Sequence, residues 1–338
     1  MSNDVIRPVI IVGGGVTGMA AAVHLAQAGQ TVLLLEKEAA LGGKAQHINC
    51  KQIEGKCTHC GACAVFELVH QVKQNHLIAE AVRQQVKTIS NQGKLIEVTV
   101  ESPKGNWVIT GSAALIAAGL KPYPAEERHE TGYGKLPRVI TALELEQRAR
   151  QMGSLSFLGR SPRIAMVHCV GSRQRYCSRV CCLYGAKISR LLSSFIPEAA
   201  IGVYCLDRQH YQQAYQAEWP KDINFTAAMP GRIYRNPEGD CVVRCEDILS
   251  GAVTEGNFDW VVLCTGLVPD PAAVALGRGA GLGLDQYGFL ERYNQERVWA
   301  AGGATAPLSF FECIEHGISA AGEILSLLES EFPQDTRG

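Results

Sequence analysis

Residues Pro8-Val-Ile-Ile-Val12-Gly13-Gly-Gly15-Val-Thr-Gly18 pass from an apolar run into a glycine turn. Val16 to Ala28 then carries helix formers and is stopped by Gly29, and Thr31 to Leu35 is a second buried-strand pattern ending in Glu36. Strand, glycine turn, helix and strand in this order make a βαβ unit. The glycines fit G-x-G-x-x-G: Gly13 makes the tight turn, Gly15 lets the backbone touch a pyrophosphate, and Gly18 lets helix and strand pack. The helix N-terminus turns its partial positive charge toward the phosphates. Glu36, 18 residues past Gly18, is placed to accept from ribose hydroxyls, and an acid there favours an unphosphorylated ribose. A glycine string alone is weak evidence, but with its strand, helix and acid it predicts a dinucleotide site.

Two further stretches favour FAD over NAD. Gly42-Gly43-Lys44, just after the acid, and Val298-Trp-Ala-Ala-Gly302-Gly303-Ala-Thr-Ala resemble features of thioredoxin-reductase-type flavoproteins. In those proteins the late segment usually reads G-D, the acid holding the ribityl chain. Gly303 stands in that place here, so backbone groups or a helix beginning near Phe310 would have to substitute. The expected FAD-binding residues are Gly13, Gly15, Val16, Thr17, Gly18, Glu36, Lys37, Gly43, Lys44, Val86, Ala118, Gly119, Gly302 and Gly303.

Between these segments the patterning predicts a polar, cysteine-bearing stretch from about Leu41 to Ala64 and a helix around Val65 to Asn75. A strand near Gln84 to Ser90 follows, then a hairpin pairing Leu95 to Ser102 with Asn106 to Thr110. Ala113 to Pro122 and Asp259 to Pro269 resemble each other, each an apolar strand ending in Gly and stopped by Pro. This pairing suggests that the chain leaves one domain after the first segment and re-enters it at the second. The expected architecture is α/β and thioredoxin-reductase-like. A discontinuous Rossmann-type FAD domain covers 1–124 and 256–338, and a second α/β domain covers 125–255.

A length of 338 residues suits two domains, and 46% hydrophobic residues can fill both cores. With a net charge of −1 and no Lys/Arg-rich run, neither nucleic acid nor anionic lipid is an expected partner. The first residues lack a signal-peptide pattern, and no apolar run approaches the roughly 20 residues of a membrane span, so the expectation is a cytoplasmic protein. In that reducing compartment 13 cysteines point to metal binding or redox chemistry wherever they cluster. Cys205, Cys241, Cys245, Cys264 and Cys313 read as small core or surface residues.

The other eight form two groups. After the strand Arg163-Ile-Ala-Met-Val-His168, where a two-nucleotide flavoprotein would carry its second glycine loop, the chain reads Cys169-Val-Gly-Ser-Arg-Gln-Arg-Tyr-Cys177-Ser-Arg-Val-Cys181-Cys182. Cys177 and Cys181 are one helical turn apart and Cys182 is adjacent, so at a helix N-terminus all three can face one object, with Cys169 closing the set. Four thiolates suit a [4Fe–4S] cluster, whose negative charge is stabilised at the positive end of a helix expected over Ser178 to Ser194. Zinc is an alternative, although its ligands usually come as paired knuckles; a vicinal disulfide is another. Cys57-Thr-His-Cys60-Gly-Ala-Cys63 resembles the first three ligands of a ferredoxin run, with Cys50 able to complete a possible second set. A redox dithiol and a degenerate remnant are the competing readings of this group. His47, His59 and His168 read as packing or surface residues.

The chain resembles the A subunit of heterodisulfide reductase, the flavin and iron–sulfur protein of methanogens, and most closely the short form of sulfur-oxidising bacteria. The resemblance rests on His168-Cys-Val-Gly-Ser-Arg173, on Tyr176-Cys-Ser-Arg-Val-Cys-Cys182, on the glycine loop, and on Tyr133-Gly-Lys with Val139-Ile-Thr-Ala-Leu-Glu144-Leu-Glu146. It implies a cytoplasmic complex with cluster-bearing and thiol-handling subunits, in which this protein passes electrons between FAD and a cluster while sulfane sulfur is oxidised. A homodimer or pseudo-dimer is expected. The extra N-terminal domain and the two-cluster ferredoxin segments of long members are not expected here, so flavin-based bifurcation is not implied. Lys187 is the candidate catalytic residue, its charge available to stabilise reduced, anionic flavin; a solvent-facing helix lysine is the plainer reading. The rival function is an NAD(P)H-dependent disulfide reductase working through Cys57/Cys60 or Cys60/Cys63. It needs a second glycine loop, and none occurs in 150–255.

Overall fold

The computed structural model describes residues 7–171, 175–206, 223–293 and 297–331. Positions 172–174, within the cysteine-bearing loop, lie outside the described residues. The chain divides into two compact units: Met1–Gln46, Gly61–Lys121 and Pro269–Gly338 form the first, and His47–Cys60 with Pro122–Val268 the second.

The first unit is built on a parallel five-stranded sheet in the order Val298–Ala300, Ala113–Ile116, Val9–Val12, Val32–Leu35, Ile78–Ala81. Its central strands are buried on both faces, which is why they read as continuous apolar runs. The two-residue period sends Val9 and Ile11 into one core and Ile10 and Val12 into the other. Over the first face lie the helices Val16–Gln27 and Phe310–Glu331. They meet closely at Gly317, where a Cβ would stand 2.3 Å from the Thr17 carbonyl oxygen. An antiparallel meander of Gln85–Asn91, Ile96–Ser102 and Gly105–Gly111 and the helices Ala64–Gln74 and Pro271–Gly279 complete the unit.

The second unit repeats the plan with a parallel sheet ordered Asn224–Thr226, Ala200–Tyr204, Arg163–Val170, Trp260–Thr265, Val139–Thr141. Its antiparallel meander is Pro230–Arg235, Cys241–Glu246 and Val253–Phe258. The helix Ala142–Met152 opens on a capping box, in which the Thr141 hydroxyl accepts from the Glu144 N–H at 3.2 Å and Glu144 accepts from the Thr141 N–H at 2.7 Å. It stops at Gly153, in the left-handed region. The helix Val180–Phe195 follows the central strand.

Trp260–Thr265 is a strand of this second sheet, so the return to the first unit comes at Pro269, later than the 255/256 boundary expected from sequence. Its neighbour in the sheet explains the assignment. Asp259 accepts the backbone N–H of Arg163 at 2.8 Å and two guanidinium hydrogens from the same residue, locking the register of the two strands. Among the described residues no helix is long and apolar enough to cross a membrane.

Candidate cofactor site and metal centre

In the first unit the predicted cofactor residues gather where the sheet strands end. Gly13, Glu36, the pair Ala118 and Gly119, and Gly302 all follow the carboxyl ends of parallel strands, the edge along which open α/β sheets bind ligands. Gly13 has φ +110°, and a Cβ on it would stand 2.4 Å from the Ala117 carbonyl oxygen. At Gly18 a Cβ would stand 2.0 Å from the Gly13 oxygen. Gly15 differs: nothing lies within 4 Å of the position a Cβ would take. The protein's own atoms therefore do not require glycine at 15, whereas a pyrophosphate resting on bare backbone does, and in this respect the loop fits a dinucleotide.

Glu36 is buried, its carboxylate accepting the Gly14 N–H at 2.7 Å and the Glu38 N–H at 2.8 Å. Gly43 lies near Gly15, and Gly302, at φ +64°, leaves no room for a side chain beside Thr17 Oγ1. Val16 and Thr17 are buried in the first helical turn, Lys37 is exposed, and Val86 is half-buried. Lys44 is exposed as a residue, yet desolvation around its ammonium lowers its pKa from the ordinary value against the pull of Asp270. Gly303 is buried and a Cβ there would meet Leu120, so the position offers backbone but no acid.

In the second unit the parallel register brings together side chains far apart in sequence. Val167 is level with Tyr204 on one side and Leu263 on the other, so the next residues, His168, Cys205 and Cys264, emerge at one height. The side-chain donor atoms of His168, Cys182 and Cys205 lie within 4.8 Å of one another, and all three residues are buried. Cys169 follows at φ +62°, where the register of its strand with Trp260–Thr265 shifts. Cys181 and Cys182 are buried in the first turn of the helix Val180–Phe195. Of the four cysteines expected as ligands only Cys182 belongs to the 4.8 Å group; Cys169, Cys181 and the half-buried Cys177 lie outside it, the Sγ of Cys177 accepting the Arg179 N–H at 3.3 Å.

The electrostatics are those of a crowded thiol nest. The Cys182 thiol is pushed well up, first by its hydrogen bond with Cys181, while the one with Cys205 works the other way and burial adds to the rise. Burial raises Cys264, and the nearby Cys182, Cys205 and Cys169 add to it. His168 is pushed down to about 4 by burial and is a neutral imidazole at physiological pH. Thiols crowded this way hold their protons until a cation replaces them, and the donor set suits a thiophilic metal centre. Along the sequence His168, Cys205 and Cys264 read as packing residues. Only the strand order puts them beside Cys182.

Cys50, Cys57 and Cys60 belong to the second unit and Cys63 to the first. Cys50 and Cys57 are exposed, as is Cys63, while Cys60 is half-buried. Lys187 is buried, its Nζ donating to the carbonyls of Thr58 at 2.6 Å and His59 at 3.0 Å. The lysine is therefore not the solvent-facing side chain of the plainer reading. Lys51, also buried, pairs with Glu146 and donates to the Asn49 carbonyl at 2.7 Å; Glu146 also accepts from the Tyr184 hydroxyl.

Residues 8–150 match the family described as FAD dependent oxidoreductase. Over 98% of its length the chain is 25% identical to the A subunit of the ferredoxin/F420H2-dependent CoB-CoM heterodisulfide reductase of Methanosarcina acetivorans, covering 54% of that protein. It is 27% identical over 96% of its length to the second iron-sulfur A subunit of the CoB–CoM heterodisulfide reductase of Methanopyrus kandleri, covering 65% of it. Against the A subunit of the H2:CoB-CoM heterodisulfide,ferredoxin reductase of Methanothermobacter marburgensis it is 33% identical over 233 residues, 61% of this chain and 35% of that one. The chain thus spans about a third to two thirds of the length of these relatives. Among solved structures, thioredoxin reductase from Lactococcus lactis superposes with a TM-score of 0.68 at 20% identity, over 96% of this chain and 99% of that one. Thioredoxin reductase from T. acidophilum gives 0.68 at 17%, over 95% and 98%. The fold is therefore the thioredoxin-reductase-like α/β fold expected from sequence.

Proposed function

We propose that this homologue of the heterodisulfide reductase A subunit transfers electrons, binding FAD in its first unit and a [4Fe–4S] cluster in its second. The observation that carries the proposal is the nest at the end of the strand Arg163–Val170. There, where a nicotinamide-binding loop belongs in this fold, stand the buried thiols of Cys169, Cys181 and Cys182. Flavin supplies two-electron chemistry and the cluster one-electron transfer.

The chain's own residues bind and insulate. Gly15 would offer bare backbone to the pyrophosphate, with Gly13 making the tight turn and Gly18 the close packing behind it, and Glu36, which fixes the loop, would stand at the ribose. Lys44, Gly43, Ala118, Gly119, Gly302 and Gly303 would line the remainder of the flavin site. Cys169, Cys177, Cys181 and Cys182 would hold the cluster, and the buried Cys205, Cys264 and His168 beside Cys182 would keep water from that side of it, a setting that tunes potential.

On the family resemblance of the sequence, cluster-bearing and thiol-handling subunits are the partners, in a cytoplasmic complex that oxidises sulfane sulfur, and the chain self-associates as a homodimer or pseudo-dimer. Anaerobically purified protein should contain FAD, iron and acid-labile sulfide, with about four iron per cluster. Flavin without iron, together with rapid reduction by NADH, overturns the proposal in favour of a disulfide reductase.

A further inference from the structure

Of the four cysteines expected to hold the cluster, Cys169 lies at the end of a strand, Cys181 and Cys182 stand in the first turn of a helix, and Cys177 belongs to the loop between. A loop residue has no ladder of hydrogen bonds to fix it, so other contacts must place its sulfur. Those contacts come from one short stretch of the second unit, Gly266 and Leu267, just past the strand Trp260–Thr265.

Gly266 secures the loop where it begins. Its N–H donates to the carbonyl of Val170, the residue after Cys169, at 2.8 Å, and its own carbonyl accepts the Tyr123 N–H at 2.8 Å. The Tyr123 ring covers Gly171, where φ is +98° and a Cβ would stand 2.1 Å from Tyr123 Cγ. Leu267 secures the loop where it ends. Its carbonyl accepts the Tyr176 hydroxyl at 2.5 Å, and its N–H donates to Ser178 Oγ at 2.9 Å, the same hydroxyl reaching back to the Leu267 carbonyl at 3.5 Å. Both neighbours of Cys177 are thus bonded to residue 267, and the neighbour of Cys169 to residue 266. Two consecutive peptide units set the distance between two sulfurs that are far apart along the loop.

Ser178 is the firmer of the two anchors. It is 1% exposed, so water does not compete for its bonds, whereas Tyr176 is half-buried. Immediately after it Arg179 takes φ +44°, a conformation that L residues keep only where the surroundings hold it, and turns its N–H onto Cys177 Sγ.

We propose that Ser178 is the positioning residue that presents Cys177 to the cluster, with Tyr176 in support and the backbone of Leu267 as the fixed point. Groups behind a ligand orient it, and losing one loosens the metal at that ligand while the other three still hold. The inference rests on the electron-transfer reading above, and its test separates the two.

Full-length protein, wild type and with Ser178→Ala, Ser178→Thr, Tyr176→Phe or Cys177→Ser, is purified anaerobically and assayed for iron, sulfide and FAD, then for paramagnetic signals after oxidation with ferricyanide. A cube poorly held at one corner gives an electron to ferricyanide, sheds that iron as Fe²⁺ and leaves a paramagnetic three-iron cluster. Cys177→Ser sets the reference, falling from about four iron to about three with that signal. Ser178→Ala should give the same signal under a ferricyanide exposure that leaves wild type silent. Ser178→Thr, which keeps the hydroxyl, should be silent again, and Tyr176→Phe should show a weaker form. If Ser178→Ala loses iron and sulfide together without the three-iron signal, the serine is merely structural and the proposal fails. It fails also if Ser178→Ala matches wild type, or if Cys177→Ser does, since Cys177 is then no ligand. Should Ser178→Ala not fold, Tyr176→Phe decides, an absent three-iron signal counting against the proposal. Wild type without iron overturns the electron-transfer reading itself; iron-replete wild type with an unresponsive Ser178→Ala overturns this inference alone.

Discussion

Gly185 presents a bare Cα to the imidazole of His168. A Cβ at 185 would stand 2.2 Å from His168 Cε1, 2.6 Å from Nε2 and 2.9 Å from Cys264 Sγ. All three residues lie in a buried layer, so neither neighbour can swing into solvent. Gly185→Ala is therefore expected to destabilise the chain by about 1–3 kcal/mol through overpacking, despite the helix propensity gained. Denaturant unfolding should show a lower midpoint, and iron content should fall with it. An unchanged midpoint with full iron would mean that the nest has slack.

Glu36 accepts from two backbone donors, Gly14 and Glu38, at the end of its strand. Replacing it by Ala leaves two amides without their charged acceptor, an interaction of about 1.5–3 kcal/mol each in general. We expect FAD affinity to fall at least about tenfold in Glu36→Ala, measured by flavin retention on dialysis. Gly15→Val should abolish binding, because its side chain fills the space left for the pyrophosphate. The flavin released from wild type by acid precipitation should chromatograph as FAD; FMN or NAD would refute the assignment.

NADH and NADPH should reduce the isolated protein poorly, since thiols occupy the loop where the second nucleotide would rest. Anaerobic mixing should leave the flavin band largely unbleached over seconds, a period in which a competent enzyme turning over at about 10 per second would finish. Bleaching within the mixing time would favour the disulfide reductase.

Much of the first unit is legible along the chain because its signals are local. The glycine loop, the acid at 36 and the apolar runs at Val9–Val12 and Val32–Leu35 are short-range patterns: contacts at Gly13 and Gly18 exclude side chains, and burial in the sheet asks for apolar strands. The edge strand Ile78–Ala81 leaves no such mark, since Ile-Ala-Glu-Ala is half exposed and carries no run. The place of Trp260–Thr265 depends on which strand it pairs with, and an apolar run carries no record of its neighbour. The same limit hides His168, Cys205 and Cys264. Each is unremarkable in its own stretch of chain, and their meeting follows from the parallel register that sets Val167, Tyr204 and Leu263 level. Lys187 stands out by its distance from Cys182, but its partners, Thr58 and His59, lie nearly 130 residues upstream. In the motif Val139 to Glu146 the two acids have structural duties: Glu144 caps its helix and Glu146 holds Lys51.

Asp259 supplies a pH test of the second sheet. Its hydrogen bond with the Arg163 guanidinium, the largest cause, holds its carboxyl below the ordinary range. A carboxylate depressed in the folded state stabilises above its unfolded pKa, near 3.9 in general, and that contribution is lost as pH falls through the lower folded value. Arg163 is partly exposed, so the contribution is discounted to about 0.5–1 kcal/mol. Asp259→Asn should lower the unfolding midpoint more at pH 7 than at pH 3. An equal loss at both values would show that the pair contributes through packing and not through charge.

The sharpest prediction concerns the cluster. Cys169, Cys181 and Cys182 are buried on a strand end and a helix start, both fixed by the core of the second unit, so their thiols are gathered before iron arrives. Cys181→Ser should remove or severely alter one [4Fe–4S] signal in the reduced protein, because serine is a poor substitute for a thiolate at an iron–sulfur site. FAD should remain bound, since its glycine loop belongs to the first unit. Cys205→Ala provides the contrast. Cys205 lies within 4.8 Å of Cys182 but is not a proposed ligand, so iron should be retained while the signal or its midpoint potential shifts, as expected of a neighbour that hydrogen-bonds to a ligating sulfur. Were Cys205→Ala to lose the cluster while Cys177→Ser kept it, the fourth ligand would be Cys205. Were Cys181→Ser to keep full iron and an unchanged spectrum, the claim of a cluster in place of the nicotinamide site would fail.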